Sequence, residues 1–213
     1  PTAAWSNWAY LVSCATDSGA AATAMYTGEK TDNSNISVSG GDKSRLLTLS
    51  EMLAAKGVAR GAVSSVPISH ATPGALFAHN SERHNYYAIA DEALFGDPNT
   101  TGTPSKHKGY AGGYGSTFPL PDVLIGAGHP EWIDLVKTPD LAFVHKDQLA
   151  ELRSRSGRPG EWTLVERIGG KTDAAARLMA TASNPKTQRL CGLFGGKLGN
   201  IELRMADGKG ASP

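Results

Sequence analysis

The sequence predicts an α/β fold, a three-layer α/β/α sandwich on a mainly parallel central sheet that is incomplete at both ends. Short apolar runs of strand length alternate with helical segments of about 10 residues, the pattern of parallel strands joined by helices. The chain has 213 residues, 40% of them hydrophobic, which is enough for a sizeable core. No repeat or linker divides it, so residues 1–213 are predicted to form one domain. Its ends suggest truncation, because the chain begins at Pro1 and closes on turn-forming residues.

Seven segments are predicted in the first half of the chain. The apolar run WAYLVSC predicts a buried strand, and the alanine-rich stretch after Asp17 predicts a helix closed by Gly28. Leucine and methionine at helical spacing predict a later helix that ends at Gly57. In order, the segments are strand 8–14, helix 18–27, polar loop 31–44, helix 46–57, strand 58–66, a helix with Pro73 as its first residue, and helix 84–94.

The second half of the chain continues the alternation after a long loop rich in Gly, Pro, Thr and Tyr, which is predicted to be a surface excursion. The apolar run DVLIGAG predicts a short buried strand, and three more strands and three helices follow it. The segments are loop 95–120, strand 122–128, helix 129–136, a strand near 141–145, helix 146–155, strand 162–167, helix 171–182 and strand 189–196.

Charge and hydropathy exclude two classes of partner. The chain has 21 basic and 20 acidic residues, a net charge of +1, so no bulk charge favours nucleic acid. No apolar run approaches the roughly 18 to 20 residues that span a bilayer, so no membrane-spanning segment is predicted. Two cysteines, Cys14 and Cys191, form neither a disulfide framework nor a metal motif, and the sequence leaves their redox state open.

Two places where a predicted strand runs into a helix carry reactive side chains. Ligands of open α/β sheets lie at such carboxyl ends. Ser18, at a helix start beside the small residue Gly19, lies among backbone N–H groups that suit a phosphate. Arg83 would add a planar fork for two phosphate oxygens, and Asp17 could hold that fork. A serine is a poor nucleophile without a base or a metal, so from these residues alone a plain helix cap remains an equal alternative.

Longer motifs add a family resemblance. The stretch TDSGAAATAMYTGEKT (16–31) resembles the active-site serine motif of alkaline phosphatases, and HATPGALFAHNSER (70–83) resembles the second block of that family, which ends in an arginine. Residues 122–132 and 193–213 are similar to later stretches of the family in the same order. Two long blocks in the right order make a specific signal, and the resemblance covers nearly the whole chain.

The resemblance implies a role for each of six residues. Ser18 would be the nucleophile that becomes phosphorylated and also a zinc ligand, and Asp17 would orient Arg83, which grips two phosphate oxygens. Thr72 would bind magnesium, and His70 would stand beside that ion and near the substrate. With Ser18, Gly19 and Arg83, His70 completes the implied substrate-binding set. The implied cofactors of the complete enzyme are two Zn²⁺ and one Mg²⁺.

The same resemblance implies a function and a setting. The expected reaction is hydrolysis of small phosphate monoesters through a phosphoserine intermediate, in the periplasm or outside the cell and in a homodimer. A phosphodiesterase or sulfatase of the same superfamily and a non-catalytic anion-binding α/β module are the alternatives. The metal-binding pattern D-x-x-x-H is absent from the sequence, and only Ser18 and Thr72 of the expected ligands are present. The chain is therefore predicted to be a central fragment that is inactive alone.

Overall fold

The computed structural model describes residues 6–13, 15–96, 120–132, 143–169, 171 and 173–195. Helices and short strands alternate through these residues, as the sequence predicts. In chain order the elements are α1 (Trp8–Ser13), α2 (Ser18–Thr27), α3 (Leu49–Ala54), β1 (Gly61–Pro67), α4 (Ala71–Gly74), α5 (Tyr86–Phe95), β2 (Val123–Ala127), α6 (Lys146–Arg155), β3 (Thr163–Glu166), α7 (Ala174–Ala182) and β4 (Leu190–Leu193).

The four strands form one parallel sheet in the order β1-β2-β4-β3, which confirms the α/β class and the parallel sheet. Strand β2 lies between β1 and β4, with Leu124 opposite Cys191 and Gly126 opposite Leu193. Because side chains alternate along a strand, these positions point to one face of the sheet and their neighbours point to the other. Helices can therefore cover both faces.

Each face of the sheet carries its own hydrophobic cluster. On one face Leu124, Cys191 and Leu193 pack with buried residues of α5 and α6 and with Trp162, whose indole N–H donates to Leu94 O at 2.7 Å. On the other face the strand residues pack against α7; this cluster consists of Val165, Ala174, Leu190 and Phe194, with Ile125 and Leu178 at its edge. The sheet is thus the middle layer of three. Burial raises the pKa of the Cys191 thiol to about 12, and Cys14 lies outside the described residues.

A third cluster packs helices and a loop of the first half of the chain against one another. It consists of small and branched side chains from α2, the 31–44 segment, α4 and α5: Ala22, Ile36, Ala71, Ala75, Ala78 and Ile89. The 31–44 segment has no helix or strand, as predicted, but Asn35 to Val38 are buried within it. Helix α3 is shorter than the predicted 46–57 because Thr48 caps it and forms a reciprocal capping box with Glu51.

Four predicted segments differ from the structure. The predicted strand 8–14 is wrong: its described part is helix α1, with Trp8 78% and Val12 60% exposed, since a short apolar run fits a helix as well as a strand. Pro73 is the third residue of α4, not the first, because the helix begins at Ala71. Residues 143–145 are not strand, and 141–142 lie outside the described residues. Of predicted helix 129–136, His129 is outside any helix, residues 130–132 form a turn, and 133–136 lie outside the described residues.

Most of the predicted loop 95–120 also lies outside the described residues, namely positions 97–119. Within the part of the chain that is described, none of the helices is both long enough and apolar enough to cross a membrane.

Candidate active site

Ser18 is the first residue of helix α2, and Asp17 is the cap before it. The Asp17 backbone is extended, with φ −72° and ψ 166°, and its Oδ1 accepts a hydrogen bond from Ala20 N–H at 2.8 Å. Alanines carry the helix to Thr27, and Gly28 ends it in the left-handed conformation, at φ 78°. In the part of the chain that the structure describes, neither the hydroxyl nor the N–H of Ser18 has a hydrogen-bond partner. The start of α2 thus presents unpaired donors beside a serine hydroxyl.

Arg83 reaches the same place from a segment 66 positions later in the chain. Its Nη1 lies 2.8 Å from Asp17 Oδ2, and only 15% of the Arg83 side chain and 20% of the Asp17 side chain are exposed. Arg83 Nε is buried and has no hydrogen-bond partner among the described residues. The structure therefore brings Asp17, Ser18 and Arg83 together and leaves part of the guanidinium uncommitted.

The 31–44 segment supplies a further clamp on Asp17. Ser34 N–H donates to Asp17 Oδ2 at 3.1 Å, and Asp17 N–H donates to the Asn33 side-chain oxygen at 3.2 Å. Partial burial would raise the pKa of the Asp17 carboxyl, but the hydrogen bonds from Ala20, Arg83 and Ser34 outweigh burial and hold that pKa below its usual value. Asp17 is thus kept as a carboxylate facing Arg83.

Gly19 packs against this segment. A Cβ built on Gly19 would lie 2.9 Å from Asn35 O and 3.4 Å from the Ile36 side chain. Glycine is therefore needed for the close approach of helix α2 to the 31–44 segment. The sequence did not predict this contact; it suggested only that the Gly19 backbone could come close to a ligand.

His70 lies at the other side of Arg83, as the cap of helix α4. It is partly buried and stacks on Tyr86, with 6.4 Å between ring centroids, and Tyr86 in turn packs against Phe143 at 4.6 Å. Burial, and then the charges of Arg83 and His84, lower the pKa of the His70 imidazole. At neutral and alkaline pH His70 is therefore a neutral ring near the guanidinium.

Among the described residues, no hydrogen bond joins Thr72 to the group formed around Asp17. It is exposed at the start of α4 and lines a cavity of about 360 Å³, together with Tyr26, Ser64 and Leu76. Its side chain makes no hydrogen bond with Ser18 or Arg83.

The residues that the structure describes do not form the donor set that zinc and magnesium need. In the described part of the chain, no group of three or more His, Cys, Asp or Glu side chains could hold a metal ion. Asp17 is committed to Arg83, and the hydroxyls of Ser18 and Thr72 are weak ligands for Zn²⁺ without imidazole or carboxylate partners. The described residues therefore do not fit the implied metals on their own.

Reasoning from the sequence missed the partners that hold Asp17 in place. The stretch TDNSN looked like an ordinary polar loop, yet Asn33 and Ser34 contact Asp17. The signal in the sequence was weak, because asparagine and serine are frequent in tight turns of every kind. In the structure Ser34 adopts φ 73°.

Comparisons with known proteins show the family to which the chain is related. The model of the alkaline phosphatase family matches residues 7–207. Alkaline phosphatase 3 of Bacillus subtilis (strain 168) is 46% identical over 77 residues, which are 36% of this chain and 16% of that protein. Streptomycin-6-phosphate phosphatase of Streptomyces griseus is 34% identical over 118 residues, 53% of this chain and 24% of that protein. The chain thus spans about a quarter or less of the length of these curated relatives.

Solved structures show the same fold. A cold-active alkaline phosphatase from the psychrophile Shewanella sp. superposes with a TM-score of 0.54 at 24% identity, over 86% of this chain and 33% of that one. The alkaline phosphatase from the Antarctic bacterium TAB5 gives a TM-score of 0.52 at 21% identity, over 87% of this chain and 42% of that one. At this identity the likeness concerns the fold alone.

Proposed function

This chain belongs to the alkaline phosphatase family, and from that premise we propose that it carries the serine site of a phosphatase that hydrolyses phosphate monoesters. The observation that carries the proposal is the Arg83–Asp17 pair beside Ser18, in which Arg83 Nη1 lies 2.8 Å from Asp17 Oδ2. Because the chain spans a quarter or less of the two curated relatives described above, the activity of a whole protein is part of the proposal.

Phosphate binding is assigned to the start of α2 and to Arg83. The N–H groups of Ser18 and Gly19 have no acceptor within the described residues, and the positive end of the helix dipole favours an anion there. The part of the Arg83 guanidinium that does not contact Asp17 can bond two oxygens of the same phosphate. A phosphodiester also offers two free oxygens, but the third free oxygen of a monoester can accept from the N–H groups at the start of α2, which favours a monoester.

The chemical step is assigned to Ser18. Its Oγ forms a bond to phosphorus, the ester P–O bond breaks, and the alcohol leaves with a proton. Water then attacks the phosphoserine, which releases inorganic phosphate and returns the serine hydroxyl. Arg83 and the helix start stabilise negative charge on the oxygens that do not react, and Asp17 fixes the guanidinium for that task.

The family relationship also supports finer proposals about cofactors and setting. Two Zn²⁺ and one Mg²⁺ would serve the complete active site, to which this chain brings Ser18 and Thr72 only. Because these hydroxyls do not make a metal site by themselves, we propose that the 213-residue chain has no turnover alone. A periplasmic or extracellular location and a homodimer are proposed on the same relationship.

Two assays test the proposal. Calorimetric titration of the chain with inorganic phosphate should show binding that Arg83→Ala weakens by about tenfold to a hundredfold, since a hydrogen bond to a charged group contributes about 1.5 to 3 kcal/mol. Arg158→Ala is the matched control, because Arg158 is exposed and its side chain lies outside the site. Equal affinity of the wild-type and Arg83→Ala chains would refute the assigned phosphate site.

The second assay measures turnover of p-nitrophenyl phosphate with added Zn²⁺ and Mg²⁺. We expect none from the 213-residue chain. Measurable turnover that disappears in Ser18→Ala would overturn the proposed inactivity of the chain alone and would support Ser18 as the nucleophile.

A further inference from the structure

Thr23 belongs to the serine motif but has no part in the chemistry proposed for it. It lies on helix α2, five residues after Ser18, and its side chain is fully buried. Its hydroxyl donates to Asn35 O at 3.3 Å and accepts from Ser37 N–H at 2.9 Å. One side chain therefore satisfies two buried backbone groups of the neighbouring segment, which would otherwise be costly to leave unpaired.

The segment that Thr23 holds is the one that clamps Asp17. Ser34 and Ser37 both have positive φ, 73° and 48°, a conformation that non-glycine residues adopt only when their surroundings impose it. Between the two, Thr23 fixes the carbonyl of Asn35 and the N–H of Ser37. In the same segment, the Ser34 N–H donates to Asp17 Oδ2, the same oxygen that Arg83 contacts.

The same segment also reaches the block that carries Arg83. Ile36 N–H donates to Asn80 O at 2.7 Å, and Asn80 N–H returns a bond to Ile36 O at 2.8 Å. The Asn80 side-chain oxygen accepts from Glu82 N–H at 3.0 Å, one residue before Arg83. The segment lies between the two motif blocks and is bonded to both.

From these contacts we propose that Thr23 is a positioning residue: through residues 33–37 it sets the position of the Asp17 carboxylate and thereby of Arg83 for phosphate. This inference rests on the proposed function. A threonine that only stabilised the core would affect the free energy of unfolding and nothing at Asp17.

The experiment compares Thr23→Val with Thr23→Ser. Valine has the shape of threonine without the hydroxyl, whereas serine keeps the hydroxyl. Thr181→Val is the matched control, because Thr181 is also helical and its hydroxyl bonds Arg177 O at 2.8 Å, away from the site. The first readout is the titration of the Asp17 carboxyl by ¹³C NMR, and the second is the dissociation constant for inorganic phosphate.

We expect Thr23→Val to raise the pKa of the Asp17 carboxyl toward its ordinary value and to weaken phosphate binding by about threefold to tenfold, the effect of losing one hydrogen bond. Thr23→Ser should restore both quantities, and Thr181→Val should change neither. Thr23→Val with a lower melting temperature but an unchanged Asp17 titration would overturn the proposal.

If Thr23→Val does not fold, a second variant tests the proposal. Asn33 is exposed, and Asn33→Ala removes only the acceptor of Asp17 N–H, so it should shift the Asp17 titration in the same direction by a smaller amount. An unchanged titration in that folded variant would overturn the proposal. The titration needs no phosphate, so a wild-type chain that fails to bind phosphate would refute the proposed function and still leave the positioning role tested.

Discussion

At the scale of single residues, Asp17 combines three contacts that belong to different parts of the chain. It caps helix α2 through Ala20 N–H, accepts from Ser34 N–H and pairs with Arg83. The Asp17 carboxylate therefore both caps the start of the helix and holds the guanidinium of a residue that is distant in the sequence. The cap and the proposed phosphate site are therefore compatible, because the helix start that Asp17 stabilises is where the N–H groups of Ser18 and Gly19 lie without an acceptor among the described residues.

The pairing of Asp17 with Arg83 was predictable, whereas its other partners were not. The resemblance of the two motif blocks brought them together. The carboxyl-end rule pointed the same way only through strand 8–14, whose described part is helix α1. Ser34 contributes a backbone N–H, which every residue except proline has. Its positive φ could not be predicted either, because serine has no preference for that conformation. Thr72 illustrates the opposite case, because its motif position was clear but, among the described residues, its side chain makes no hydrogen bond with either member of the pair.

Asp17→Asn tests the charge at this position through the pH dependence of stability. The folded pKa of Asp17 lies below 3.8, so its contribution is full above that pH and is lost as the pH falls through the folded value. Asparagine still caps a helix, so the variant should lose about 1 to 2 kcal/mol at pH 7, mainly from the Arg83 bond. Urea unfolding at pH 7 and pH 2.5 checks this. A difference between the two proteins that stays the same at both values would contradict it.

At the scale of elements, the site depends on how closely helix α2 approaches the 31–44 segment. Gly19 permits an approach that any side chain would block, and Thr23 bonds the segment one turn further along. Helices 18–27 and 146–155 were predictable at their observed bounds, because capping residues and spacing mark both ends. Strand 8–14 was not, since an apolar run of seven residues carries no period that separates a strand from a helix.

Gly19→Ala should push helix α2 away from the segment. The added Cβ would meet Asn35 O at 2.9 Å, a backbone atom that cannot rotate aside, so we expect a loss of about 1 to 3 kcal/mol in the free energy of unfolding. Gly41→Ala is the matched control, with no heavy atom within 4 Å of its Cβ, and should be neutral or slightly stabilising. Equal unfolding midpoints for the two variants would show that the close approach has no energetic consequence.

At the scale of the whole molecule, charged groups tie the carboxyl ends of the strands together. Glu166 at the end of β3 bonds His129 Nε2, which follows β2, at 2.8 Å, and it also bonds Arg153 of helix α6. Burial would raise the pKa of the Glu166 carboxyl, but the hydrogen bonds from His129 and Arg153 lower it to about 2. This cluster connects the ends of β2 and β3 to helix α6.

Glu166→Gln should reveal this tie in acid. The Glu166 pKa is 4.5 without the fold and about 2 within it, so its contribution is present above pH 4.5 and disappears as the pH falls toward 2. We expect the variant to lose on the order of 2 kcal/mol at neutral pH and to show a shallower decline between pH 4.5 and 2.5. Guanidinium unfolding over that range measures both slopes. If the free energy of unfolding falls equally steeply in both proteins, Glu166 does not cause the loss of stability in acid.

The class of the fold was predictable for the whole molecule, but its strand order was not. Alternation of strands and helices indicates parallel pairing, yet nothing in the chain order says that β4 inserts between β2 and β3. That order follows from which faces bury Leu124, Cys191 and Val165, and many side chains decide it together. Local patterns report elements, whereas the arrangement of elements is a property of the packed core.

The most direct test of the account is to locate bound phosphate. Titration of ¹⁵N-labelled chain with inorganic phosphate should shift the backbone N–H signals of Ser18 and Gly19 and the Nε–H signal of Arg83 together, with one dissociation constant. Arg83→Ala should raise the dissociation constant that the Ser18 and Gly19 shifts report by about tenfold to a hundredfold. Phosphate that leaves these signals unchanged, or that shifts them equally in Arg83→Ala, would contradict the claim that helix α2 and Arg83 form one phosphate site.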